Sequence, residues 1–252
     1  MKRTWKQIGS LFLVLCMVVT MLPMTALAEA GDDDELSLQD TLAATVTESV
    51  YGSVSGTMDI GGETDVGLDV NTDKRDKSGW AWDAATATLT LYSNYGCSYI
   101  HIDCDEADTV NLEYNGDVSL KVIGSSDDDY ETIYCEGSLI INGSGGTLKL
   151  TNNSDMYNTL ETGGALTFSS GAVSISGSNS AVYASGDITV DAEATADVTS
   201  AKYGLYSDGS LYLSGALTAT GGSFDYAVNV SSVFVTGGTL NTTANYGYIG
   251  DV

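Results

Sequence analysis

The chain has 252 residues, with 9 Lys+Arg against 34 Asp+Glu, a formal net charge of −25, and 29 Gly and 15 Tyr but a single His and a single Pro. So anionic a surface repels phosphate and offers no basic patch to release counterions, which excludes nucleic acid as a partner. One histidine, His101, excludes His-rich zinc sites and makes a Ser-His-Asp triad a poor reading, while 43% hydrophobic residues argue against disorder.

Lys2, Arg3 and Lys6 precede an apolar run from Leu11 to Met24, and Ala26-Leu27-Ala28 fits the small-x-small cleavage pattern. Residues 1–28 therefore read as a signal peptide. The apolar run is shorter than the about 20 residues that a bilayer span needs, so membrane contact is expected only during export. The expected location is extracellular or the bacterial cell surface. Cleavage after Ala28 would take the net charge from −25 to −28 by removing three basic residues. Residues 29–50 read as an acidic linker that opens on Gly31-Asp32-Asp33-Asp34-Glu35, with room for a short helix from Leu36 to Val46. Cys97, Cys104 and Cys135 follow, an odd number that allows one intrachain bridge at most. Buried thiols are expected, with a Cys97–Cys104 bridge as the alternative.

From Tyr51 the texture changes to alternating apolar and polar residues punctuated by Gly, Asn and Asp, the signature of strands and turns. Residues 51–91 are expected to form an N-terminal β cap, with Trp80 and Trp82 packed inside it. Ile100–Ile102, Val110–Leu112 and Val118–Ile123 are further strands. A repeat then becomes visible, with copies that open at Ile133, Leu160, Val182, Leu205 and Val228, spaced by 27, 22, 23 and 23 residues. A helix-free unit of this length predicts an all-β fold, a right-handed parallel β-helix with three short strands per coil over residues 92–252. Tyr248-Ile249 looks like the start of another copy, so the C-terminal end is expected to be uncapped.

Shared parity predicts three inward faces. Leu139/Ile141, Leu166/Phe168, Ile188/Val190, Leu211/Leu213 and Val233/Val235 make one. Leu148/Leu150, Val173/Ile175, Ala196/Val198 and Leu217/Ala219 make a second, and Ile133/Cys135, Val182/Ala184 and Val228/Val230 a third. Gly143, Gly171, Gly186, Gly209 and Gly237 are expected to turn the chain with positive φ.

Two kinds of outward residue carry candidate chemistry. Tyr134, Tyr183 and Tyr206 occupy equivalent places, with Glu161 and Asn229 in the same column, while Tyr203, Tyr226 and Tyr246 form a second column at the adjacent corner. Stacked rings with polar tips suit a sugar ring, although a purely structural ladder would place like residues together too. Asp103, Asp105 and Asp108, and separately Asp127, Asp128 and Asp129, concentrate carboxylates of the kind that hold calcium; solvated acidic turns are the alternative, and no EF-hand spacing is present. Asp187, Asp191, Glu193 and Asp197 crowd one coil and fit either description.

The run Gly79–Leu91, together with Tyr203–Leu213, resembles secreted clostridial carbohydrate-binding-domain proteins of the parallel β-helix, pectate-lyase-like type. The resemblance covers roughly residues 60–252 and implies that fold, an extracellular location, polysaccharide binding and, in some members, calcium. The expected function is a secreted, non-catalytic β-helix that binds polysaccharide or cell-wall glycan on its tyrosine-bearing face, with calcium as its candidate cation. A structural or adhesive surface repeat is the first alternative. A calcium-dependent lyase is the second; it would need a Lys or Arg base, for which outward-pointing Lys149 is the best placed.

Overall fold

The computed structural model describes residues 54–122, 130–222, 226–244 and 248–251. The expected signal peptide and acidic linker, together with Asp127, Asp128, Asp129 and Tyr246, lie outside these residues.

The described chain begins with short antiparallel strands. β1 (Thr57–Ile60) pairs with β2 (Glu63–Gly67). β3 (Thr72–Asp73), a one-turn helix α1 (Arg75–Ser78), β4 (Trp80–Asp83) and β5 (Thr88–Tyr92) follow, with β4 antiparallel to both β3 and β5. Within the expected cap, β4 and β5 form a hairpin that ends at Tyr92. Trp80 and Trp82 are buried, and the Trp82 indole N–H donates to the Leu68 carbonyl at 2.9 Å. Parallel stacking starts at β5, whose Leu89 lies opposite Leu112.

About six coils of about 23 residues follow in a β-solenoid. Their strands are β6 (Ile100–Asp103), β7 (Thr109–Asn115), β8 (Val118–Val122), β9 (Ile133–Cys135), β10 (Ser138–Asn152), β11 (Leu160–Thr162), β12 (Leu166–Gly177), β13 (Val182–Ala184), β14 (Ile188–Ser200), β15 (Leu205–Ser207), β16 (Leu211–Leu213), β17 (Ala216–Thr220), β18 (Val228–Val235), β19 (Thr239–Thr243) and β20 (Tyr248–Asp251). In β10, β12 and β14 the second and third strands of the coil run together as one bent strand. Three parallel ladders result. Ile100, Ile133, Leu160, Val182, Leu205 and Val228 align on the first. Val110, Leu139, Leu166, Ile188, Leu211 and Val233 align on the second. Val118, Leu148, Val173, Ala196, Leu217 and Leu240 align on the third.

These residues face inward because alternate side chains leave opposite faces of a strand, and no single coil can cover its own apolar face. The three expected inward faces are buried, with one exception: Val235 is 53% exposed. No described strand stacks over it, so its inward parity wins no cover. The glycine expectation also needs correction. Of the five turn glycines named above, only Gly171 has a positive φ, at 83°. Gly143 matters for room instead. A β-carbon there would lie 2.2 Å from the Tyr114 hydroxyl, which passes it to donate to the Ala172 carbonyl at 2.8 Å.

Candidate functional site

The first ladder carries a column on its outer face. In register it runs His101, Tyr134, Glu161, Tyr183, Tyr206 and Asn229. The expected equivalence of Tyr134, Tyr183 and Tyr206 therefore holds, and their rings are half-buried. Tyr183 and Tyr206 stack with centroids 5.5 Å apart and planes 20° apart. His101 lies against Tyr134 at 4.5 Å. Residue spacing alone had left His101 without a role; only the register places it at the head of the column.

The corner column is built from the residues just before each of these strands. Tyr203 and Tyr226 lie 6.5 Å apart at 14°, and Tyr203 meets Tyr206 edge-on at 68°. The two columns thus join into one ledge with rings in two orientations. Within a stack each ring face is largely occupied by its neighbour. What the ledge offers a ligand is therefore ring edges, phenolic hydroxyls and the faces turned by the 68° step.

Carboxylates border the ledge. Tyr183 donates to Asp208 at 3.0 Å, and the charge of Asp208 also pushes the Tyr206 phenol up from its ordinary pKa. Asn158 donates to Glu161 at 2.7 Å. Burial raises the pKa of Glu131, and its contact with Glu161 raises it further. Tyr134 is raised as well, by burial first and then by Glu136 and Glu161.

A second aromatic pair escaped the sequence reading. Tyr212 and Phe234 share the outer face of the second ladder, 40% and 47% exposed, with rings 5.0 Å and 14° apart. Its signal in the sequence is the repeated Leu-Tyr-Leu and Val-Phe-Val, whose central rings have outward parity.

The acidic side chains among the described residues do not converge. Among the described residues no group of three or more His, Cys, Asp or Glu side chains is placed to hold a metal ion. Asp103 turns to His101, at 3.0 Å from its Nε2. Asp105 is exposed and accepts the Asp108 amide through its own carbonyl at 2.8 Å, closing a turn. Asp117 and Asp187 cap backbone amides of the next coil, Thr147 and Ser210, at 2.9 and 2.8 Å. Part of the acidity therefore ties coils together. Lys149 is exposed on β10, as its outward parity requires.

The three cysteines among the described residues, Cys97, Cys104 and Cys135, are free thiols, so the Cys97–Cys104 alternative is not what forms. Cys97 is half-buried and donates to the Tyr99 carbonyl at 3.4 Å; burial pushes its thiol up. Cys104 and Cys135 hydrogen-bond each other, with the contact holding Cys104 down and raising Cys135.

Clefts of about 450 and 590 Å³ lie at the cap, lined in part by Trp80 and Tyr95 and by Asp73–Lys77 respectively, and neither includes the ledge. Comparison with protein-family models, with curated proteins and with solved structures finds no match to this chain.

Proposed function

We propose that this chain is a secreted, non-catalytic protein that binds polysaccharide along the ledge formed by Tyr134, Tyr183, Tyr206, Tyr203 and Tyr226. The observation that supports the reading is the junction of two ring columns across neighbouring coils, with rings turned 68° to one another at Tyr203 and Tyr206. A glycan chain lying along the coil axis meets successive phenols at Tyr183 and Tyr206, one strand spacing, about 4.8 Å, apart, with Tyr134 two rungs before Tyr183 across Glu161. Each aromatic contact contributes about 1 kcal/mol, and micromolar affinity needs about 8 kcal/mol, so binding requires several coils at once. Glu161 and Asp208 on a chain of net charge −25 repel uronate and sulfated polymers, which leaves neutral or amino-substituted glycans as the ligand class. The resemblance to carbohydrate-binding-domain proteins at Tyr203–Leu213 falls on the same ledge.

The test is retention on insoluble glycans. Tyr183→Ala/Tyr206→Ala should lower retention about thirtyfold, the loss of about 2 kcal/mol for two contacts. Tyr183→Phe/Tyr206→Phe keeps the ring stack and removes the hydroxyls, so it should lower retention with an unchanged melt. Equal retention by the wild type and both variants would reduce the rings to a structural ladder, the form that a structural or adhesive repeat would take. Retention should be the same with calcium and with chelator, because among the described residues no three acidic side chains converge at the ledge. Loss with chelator would bring Asp103, Asp105, Asp108 and Asp127–Asp129 back as calcium ligands. Release of unsaturated sugar ends, lost on Lys149→Ala, would replace this reading with a lyase.

A further inference from the structure

We propose that Cys104 and Cys135 are a built cross-link site, joined by a disulfide between two successive coils when the protein meets a disulfide oxidant. The inference does not depend on glycan binding. It begins with register. On the first ladder Ile102 lies opposite Cys135, and both face the core. Cys104 is two residues beyond Ile102, so strand parity turns it to the same interior. The Glu136 amide donates to the Ile102 carbonyl at 3.0 Å, which holds the two chains in step as they leave the strands. The two thiols thus lie in one buried interior on neighbouring coils, near enough for each to shift the titration of the other.

The column below shows what this position otherwise holds. In register after Cys135 come Thr162, Ala184 and Ser207, all small and buried. Thr162 and Ser207 satisfy their hydroxyls on the carbonyls of Gly164 and Gly186. Cys135 makes a long contact of 3.8 Å to the Ser138 carbonyl, and the Gly137 backbone and Cys104 lie against it. Cys97 is held elsewhere, against the Tyr99 carbonyl. The third thiol is therefore the odd one out, and the pairing differs from the sequence-adjacent Cys97–Cys104.

Access sets the order of steps. Cys104 is 6% exposed and Cys135 is fully buried. With oxidised glutathione as oxidant, Cys104 Sγ loses its proton and attacks one glutathione sulfur. The S–S bond of glutathione breaks, and the first glutathione leaves as thiolate and takes up a proton. Cys135 Sγ then attacks Cys104 Sγ, the mixed disulfide breaks, and the second glutathione leaves with the other proton. Two protein thiols are oxidised, and one glutathione disulfide is reduced to two thiols.

Closing a loop of about 30 residues constrains the unfolded chain, and for a chain of this size the melt should rise by about 5–10 °C on oxidation. The experiment incubates the whole folded protein with oxidised glutathione, blocks remaining thiols, and maps peptides without reduction. The expected result is one cross-linked peptide pair containing Cys104 and Cys135, with Cys97 blocked, and a higher melt that reductant reverses. Cys97→Ser should leave both results intact. Cys104→Ser, at the more exposed position, should abolish them, and Cys135→Ser should leave Cys104 as a stable glutathione adduct. A Cys97–Cys104 link, a glutathione adduct persisting on Cys104 in the wild type, or all three thiols recovered free would each overturn the proposal.

Discussion

In the coil stack most inward residues meet near-copies of themselves above and below; in the cap every contact is made once. Val110, Leu139, Leu166, Ile188 and Leu211 follow one another down a single ladder, and any branched or linear aliphatic serves there. The cap depends instead on single devices: Trp82 donating to Leu68, Asn71 accepting the Ala84 amide at 2.7 Å, and Arg75 paired with Asp73 at 2.6 Å. Repetition lets a position tolerate substitution in kind, whereas a unique contact tolerates little beyond itself.

Truncation in the stack should give the largest effect. Phe168 is fully buried in β12, between Ile141 and Val190. Phe168→Ala leaves a cavity that two fixed neighbours cannot fill and should cost about 3–5 kcal/mol, read from urea unfolding. A loss below 1 kcal/mol would mean that coils repack freely, and the contrast with the cap would fail.

In the cap a milder change should already hurt. Trp82→Phe keeps an aromatic ring but removes the N–H and leaves the Leu68 carbonyl without its donor. The expected cost is about 2 kcal/mol in the same assay. A neutral result would show that the cap, too, is held by generic apolar burial.

The smallest effect concerns pH. Glu131 faces Glu161 and His101, and burial raises its pKa in the folded state. A carboxyl so raised favours the protonated form on folding. Its ionisation therefore costs stability above the folded pKa, and that cost disappears as pH falls towards the unfolded value. Glu131→Gln should raise the melt at pH 7 by about 2 °C and change nothing at pH 4. An equal shift at both pH values would assign the gain to packing.

The stack was legible in the sequence because its physics is periodic. Residues with the parity of Leu139 and Ile141 recur at a fixed spacing, and only parallel coils bury them all. The outward equivalence of Tyr134, Tyr183 and Tyr206 came from the same count. What escaped lies between coils and at the C-terminal end of β18. The five turn glycines looked alike in sequence, yet Gly171 adopts positive φ while Gly143 makes room for a side chain from the preceding coil. Val235 has inward parity, but nothing described covers it. His101 and the Cys104–Cys135 contact depend on which residue of one coil lies over which residue of the next, across an interval of 33 residues from Ile100 to Ile133 that departs from the later spacing.

Tyr114 has a consequence for how the molecule comes apart. Coils that touched only their immediate neighbours would open one rung at a time from either end, like a one-dimensional lattice with nearest-neighbour coupling. The Tyr114 hydroxyl starts on β7, passes Gly143 in the next coil and is bonded to Ala172 in the one after. It couples a rung to its second neighbour, so parting β7 from β10 also costs the bond to Ala172, about 1 kcal/mol, and separation of β7, β10 and β12 together is favoured by that amount. Fraying that advances from either end meets an added cost there, spread over three coils instead of two.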